Sequence, residues 1–283
     1  MALRRQWYCG LLLLMMTTPS AAQPIRHSFQ TTDGVTLSFL EAGSEHGNEI
    51  NIVLVPGWLM PGRIWQNQIN DFSRTYHTLA FDPRGQGESQ VASSGYTAER
   101  RATDLNELLL KRSSVLLIGW SLGGIEALQY VHMFGADHLA GLVLVDSSVG
   151  EEPAPGSSGG FKDNLRRDRD KTLREFMRAI FAKPRPEHEL AELVRGAKRM
   201  PVEDSLALLD YPFERAHWRN IVRRFQKSLL YVVTPQYEQQ AANLKKNRPG
   251  TQVELFKKAG HALFVDEPQR FNAVIRKFAV RLS

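Results

Sequence analysis

The chain has 283 residues, a net charge of +6 from 36 Lys or Arg against 30 Asp or Glu, and one cysteine, Cys9. A mildly basic balance of this kind does not argue for nucleic acid as a partner, and a lone cysteine excludes a disulfide framework and a Cys-ligated metal centre. The length suits one large domain with an insertion, which can bury a substantial core unaided.

Residues 1–22 read as a segment apart from the fold. Arg4 and Arg5 form a basic start, Trp7 to Met16 contains the run LLLLMM, and Ser20-Ala21-Ala22 is a small-residue cleavage site. The apolar core is short for a bilayer span, so an export signal is expected rather than an anchor, with Gln23 as the first mature residue. The protein is then periplasmic or secreted, with no transmembrane span after signal removal. Removal takes Cys9, Arg4 and Arg5, which excludes thiol chemistry and lowers the net charge to +4.

Within 23–283 the elements alternate. His27–Thr31 and Val35–Glu41 read as a hairpin about a two-residue Asp33-Gly34 turn. Ile50–Val55 is a buried strand ending at Pro56-Gly57-Trp58, and Thr78–Phe81 is another, ending at Asp82-Pro83-Arg84-Gly85-Gln86-Gly87. Thr97–Lys111 has helical spacing, with Leu105, Leu108 and Leu109 on one face. Val115–Ile118 is a buried strand, Ile125–Met133 a helix, and Gly141–Val145 the next strand, ending at Asp146. Leu229–Val233 and Val253–Phe256 supply two more strands, and Pro268–Leu282 a closing amphipathic helix. A hairpin followed by strands alternating with helices predicts an α/β fold, a mostly parallel sheet flanked by helices.

Between Asp146 and Leu229 the rhythm stops. Glu151–Gly160 reads as a flexible connector, and Phe161–Trp218 as charged helices, so a helical cap is expected over about 150–220. Residues 161–200 hold 12 Lys or Arg against 7 Asp or Glu. That excess is either a solvated helical face or a surface that guides anionic substrates or meets an anionic envelope.

The chemistry centres on Gly119-Trp120-Ser121-Leu122-Gly123, where a strand turns into a helix at G-x-S-x-G, the pattern of a nucleophile elbow. Ser121 must sit on a tight turn, and side chains two positions either side would collide with strand and helix. A serine nucleophile needs a base within hydrogen-bond reach. Of the eight histidines, His261 is the expected one, because Ala259-Gly260-His261 follows the last strand at the edge where active groups gather.

VPGW, DPRGQGES, GWSLGG and AGHALFVDEP together resemble the α/β-hydrolase superfamily, in its serine esterase and perhydrolase-like branch. The resemblance runs from about His27 to Ser283 and implies the order Ser, acid, His. Its commonest pattern has an Asp just beyond the strand that here is Leu229–Val233, whereas this chain reads Thr234-Pro235-Gln236-Tyr237-Glu238. Asp146, at a strand end that supplies the acid in some members of the superfamily, is the favoured acid because a strand end holds it rigidly. Glu238 is the alternative acid. The oxyanion hole is expected from the backbone N–H groups of Leu122 and Trp58. Trp58, Met60, Trp120 and Leu122 are expected to line an apolar acyl pocket, with core packing the alternative for the two Trp side chains. DPRGQGES lacks the Lys-Ser/Thr and spacing of a phosphate loop and reads as structural, and Asp266 and Glu267 read as helix-start residues. No His/Asp/Glu cluster has metal-ligand spacing, so neither metal nor cofactor is expected.

The function implied is an exported serine hydrolase acting on small-molecule carboxylic esters, with Ser121 as nucleophile. A cofactor-free perhydrolase or thioesterase uses the same groups, and a non-catalytic ligand-binding homologue is a competing class. Epoxide hydrolases and haloalkane dehalogenases share the fold but carry Asp at the elbow, so Ser121 argues against both.

Overall fold

The computed structural model describes residues 23–44, 49–156 and 159–282; the expected export signal, 1–22, lies outside the described residues. Strands β1 (Ile25–Gln30) and β2 (Thr36–Ala42) open the chain. They are followed by β3 (Asn51–Val55), α1 (Gln66–Phe72), β4 (His77–Asp82), α2 (Ala98–Leu109), β5 (Val115–Trp120), α3 (Leu122–Phe134) and β6 (Leu139–Val145). Five described helices come next: α4 (Phe161–Arg167), α5 (Arg169–Ala179), α6 (Glu187–Ala197), α7 (Val202–Ala207) and α8 (Arg215–Arg224). β7 (Ser228–Val233), α9 (Glu238–Asn247), β8 (Gln252–Leu255), α10 (Leu263–Asp266) and α11 (Pro268–Ala279) complete the fold.

The eight strands lie in one sheet, in the order β1-β2-β4-β3-β5-β6-β7-β8. The pairs β1–β2 and β2–β4 are antiparallel, and the rest are parallel. The α/β, mostly parallel sheet flanked by helices is therefore the observed fold. Every residue of β4 and β5 is buried, as in central strands covered on both faces.

The opening hairpin differs from its expected form. Thr31 N donates to Val35 O at 2.9 Å, so the loop holds three residues, Thr32-Asp33-Gly34, with Gly34 left-handed at φ 82°. The Thr31 hydroxyl donates to Asp33 Oδ1 (2.5 Å) and its oxygen accepts from Val35 N (3.0 Å), which favours this wider loop over the two-residue turn.

Helix α2 buries Leu105, Leu108 and Leu109 as its spacing predicts, but it also buries Arg101 and Asp104. Arg84 meets Asp104 through two 2.9 Å bonds, with both side chains almost fully enclosed. Its guanidinium also bonds Asp33 and holds that carboxyl down to about 2. Arg101 pairs with Glu126 of α3 at 2.7 Å. Burial pushes Glu126 up to about 7, against the pull of Arg101.

The helices α4 to α8 turn Leu165, Leu173, Met177, Leu190, Val194, Trp218 and Val222 inward. They sit against the C-terminal edge of the sheet: the Trp58 indole donates to Ser205 O at 2.6 Å, and Ala262 N donates to Ile180 O at 2.7 Å. Several of their acidic residues are taken up in local ion pairs, including Arg166–Glu203, Arg174–Asp170, Lys198–Asp170 and Arg178–Glu187, which leaves the net basic excess in place. The side chains of these pairs are largely open to solvent. The segment before α4 is anchored at its start: buried Glu151 accepts two bonds from Arg223, at 2.6 and 2.7 Å, and Arg215 binds Glu152. Its composition suggests flexibility, but these arginines, far along the chain, tie down Glu151 and Glu152. No helix among the described residues is long and apolar enough to cross a membrane.

Glu126 gives a test of the buried network. Native Glu126 keeps its proton up to about pH 7, while the unfolded chain releases it near 4.5, so this group makes stability fall as pH rises between those values. Glu126→Gln should flatten that decline, by at most about 1.4 kcal/mol per pH unit, while lowering stability overall because Arg101 loses its partner. Urea melts of both proteins at pH 5 and pH 7.5 measure it; an unchanged slope would assign the decline to another group.

Candidate active site

The site is built from loops at the C-terminal ends of β3, β5, β6 and β7 and from the loop that follows β8. At the end of β5, Ser121 has φ 54° and ψ −118°, a conformation that L-residues rarely adopt. It is held because Ser121 N donates to Val145 O at 2.9 Å and Ser121 O accepts the Ser147 hydroxyl at 2.8 Å. The turn is tight enough that neighbouring positions must be glycine. A Cβ on Gly119 would stand 2.3 Å from Gly123 O, and one on Gly123 would stand 2.6 Å from both Val55 O and Pro56 O.

Asp146 and His261 are brought together. Asp146, at the end of β6, is fully buried, with φ 43°. Its Oδ2 lies 2.7 Å from His261 Nδ1. Its Oδ1 accepts from Thr234 N at 2.7 Å and from Thr234 Oγ1 at 2.8 Å. With Asp146 as acceptor, Nδ1 carries the imidazole proton and Nε2 is left with its lone pair. Glu238 lies elsewhere, exposed in the first turn of α9. The strand end after β7 thus contributes Thr234, which orients Asp146, rather than an acid.

The loop carrying His261 is fastened on two sides. Trp120, next to Ser121, donates its indole N–H to His261 O at 2.8 Å, and the two rings lie 5.2 Å apart. Asp266 accepts from Gly260 N and Ala182 N, both at 2.8 Å, joining this loop to the turn after α5. Asp266 lies in the single turn of α10 and directly precedes Glu267, the N-cap of α11, so both stand near helix starts as expected, and the Asp266 carboxylate also serves amides from two separate stretches. Thr234, Trp120 and Asp266 are positioning groups that sequence reading missed. Each is tied in by a contact across 84 to 141 residues.

The two expected oxyanion donors sit on elements facing the elbow. Leu122 is the first residue of α3, where backbone N–H groups have no intrahelical partner. Trp58 lies in a turn closed by Met60 N to Gly57 O at 3.1 Å. A Cβ on Gly57 would stand 3.1 Å from Ser121 Cβ, so that turn rests against Ser121. The Trp58 ring packs edge-on to Phe161 and Phe176, at 5.6 and 5.3 Å, and the Trp120 ring edge-on to Phe264 at 5.1 Å. Both indoles are packing and positioning groups, the second of the two roles open from sequence.

A sequence profile described as the alpha/beta hydrolase family matches residues 52–274. This chain belongs to that family. It is 26% identical over 266 residues to the pimeloyl-[acyl-carrier protein] methyl ester esterase of Vibrio campbellii, covering 82% of this chain and 96% of the relative. It is 33% identical over 120 residues to a non-heme chloroperoxidase of Kitasatospora aureofaciens, a match spanning 41% of this chain and 42% of that protein. Among solved structures, an esterase from Exiguobacterium antarcticum superposes with a TM-score of 0.77 at 23% identity, covering 89% of this chain and 98% of the other.

The elbow packing is testable through stability. Gly119→Ala and Gly123→Ala should each lose about 1–3 kcal/mol, because the added methyl meets backbone that cannot give way. Gly196→Ala, in α6 with open space around it, should gain about 0.5–1 kcal/mol. Urea unfolding of the three variants checks the ranking, and equal effects at all three would remove the steric account.

Proposed function

We propose that this protein is an exported serine hydrolase that cleaves carboxylic esters through an acyl-enzyme on Ser121. The observation that carries the reading is the 2.7 Å bond from His261 Nδ1 to the buried Asp146 carboxylate, at the same sheet edge as a serine held on a strained turn. In this reading His261 Nε2 takes the Ser121 proton as Oγ attacks the acyl carbon. The negative oxygen that forms is met by the N–H groups of Leu122 and Trp58, fixed dipoles that need no reorientation as charge develops. His261 then gives its proton to the leaving alcohol. A water, deprotonated by the same imidazole, releases the acid. Asp146 keeps the imidazole in the required tautomer and stabilises the imidazolium.

Relatives named as ester hydrolases support the substrate class, with the esterase of Vibrio campbellii acting, by its name, on a methyl ester. The partial likeness to a non-heme chloroperoxidase favours a second reading, in which hydrogen peroxide replaces water at the acyl-enzyme and a peracid leaves. The same residues serve both, since only the second nucleophile differs. Export to the periplasm or beyond is part of the proposal and rests on Arg4-Arg5, the LLLLMM run and Ser20-Ala21-Ala22.

A fluorophosphonate probe should label the wild-type protein at Ser121, and p-nitrophenyl esters of increasing chain length should be turned over with water as acceptor. Ser121→Ala and His261→Ala should each cost on the order of 10⁴-fold or more in kcat, with the double variant scarcely worse than either single one. Losses that multiply in the double variant would mean that the two do not act as a unit. Asp146→Asn should cost roughly 10⁴-fold by favouring the wrong tautomer, and Glu238→Gln should cost little. The reverse pattern would move the acid to Glu238. Sequencing the mature N-terminus after cell fractionation checks export, with Gln23 expected and Met1 in the cytoplasm ruling it out.

A further inference from the structure

Gln86 lies in the loop after β4 and is 2% exposed. Its Nε2 donates to Gly57 O at 3.0 Å and to Met60 O at 2.8 Å, and its Oε1 accepts from an Arg101 Nη at 3.2 Å. Carbonyl oxygens only accept and a guanidinium only donates, so the amide has one consistent orientation. The two carbonyls bracket Trp58 and Leu59. Leu59 has φ 58°, a left-handed conformation that costs a residue with a Cβ about 1–2 kcal/mol and persists only where its surroundings over-determine it.

We infer that Gln86 is the positioning residue of the oxyanion turn: its amide clamps both ends of Gly57–Met60 and so aims the Trp58 N–H at the reacting carbonyl. The inference rests on the reading of Trp58 as an oxyanion donor. Behind the clamp, Arg101 also donates to Arg84 O at 3.2 Å and pairs with Glu126 at 2.7 Å. Glu126 belongs to α3, whose first residue, Leu122, supplies the other donor. The chain Gly57/Met60–Gln86–Arg101–Glu126 therefore braces one donor peptide against the helix that carries the other. This route does not pass through the sheet, and it sets the spacing that an oxyanion, rather than a ground-state carbonyl, requires.

Without the amide, Met60 O loses its Gln86 donor, Gly57 O keeps only Met60 N, and the Leu59 turn is free to relax, while the contacts that bind the ground-state ester remain. Gln86→Leu removes the donor at similar size, and Gln86→Asn keeps an amide too short to span both carbonyls. For Gln86→Leu, kcat on p-nitrophenyl acetate should fall on the order of 10–10²-fold, near the loss of one oxyanion donor, with KM within about twofold of wild type. Affinity for a trifluoromethyl ketone, which adds Ser121 to form a tetrahedral oxyanion, should fall by the same factor. Gln86→Asn should show the same pattern, and it decides the matter by the same two readouts if the leucine variant does not fold. A folded variant with wild-type kcat and ketone affinity, or one whose loss lies in KM alone, would overturn the assignment while leaving ester hydrolysis intact. A wild-type protein that neither labels with the phosphonate nor turns over esters would overturn the reading beneath it.

Discussion

A buried carboxylate with three donors holds the candidate site together. Asp146 ends β6, Thr234 follows β7, and His261 lies in the loop after β8, so one side chain joins three stretches of chain at one sheet edge. An enclosed carboxylate without such partners would be costly. The same need for compensation makes the arrangement specific: moving His261 or Thr234 away would leave a buried charge short of donors. Rigidity at Asp146 is thus tied to the stability of the fold and passes directly to the imidazole.

The elbow adds a second constraint, of space rather than charge. Ser121 keeps its unusual backbone because β5, α3 and the loop after β3 approach to distances that admit no Cβ at Gly119 or Gly123. The loop after β3 is drawn in by Gln86, and the imidazole loop is drawn in by the Trp120 indole. Each candidate catalytic group is therefore set by a neighbour that is itself buried, which limits the freedom that would blur a reaction geometry. The helices between β6 and β7 belong to the same framework. Ser205 O holds the Trp58 ring, and Asp266 ties the imidazole loop to the turn after α5.

Charge on this molecule plays two separate parts. On the exposed faces of α4 to α8 it is spread through local pairs in high dielectric, where it contributes little to stability. Beneath the loop after β4 the pairs Arg84–Asp104 and Arg101–Glu126 are enclosed, and removing one partner would strand the other. The sequence composition weights both kinds equally. Only burial separates a solvated basic face from a brace.

The fold class, the chain order of the strands with helices α2, α3 and α11, and the Ser121 and His261 positions were legible in the sequence. Each rests on a local signal: an apolar run of strand length, a glycine-flanked serine between strand and helix, a histidine in a loop after the last strand. Asp146 was legible only as one of two carboxylates, because chain order leaves open which of two strand ends meets the imidazole. The three-residue hairpin loop, the anchored Glu151 and the parts played by Thr234, Trp120, Asp266 and Gln86 were not legible. Their hydrogen bonds run between residues far apart in the chain or depend on a side chain's own choice of partner, and residue type alone does not disclose either. Periodicity and glycine placement record what the backbone does locally, so the sequence by itself determined the framework and the turn that carries Ser121. Which buried polar group satisfies which other is settled only when the layers pack, so the tertiary structure decided what orients the site.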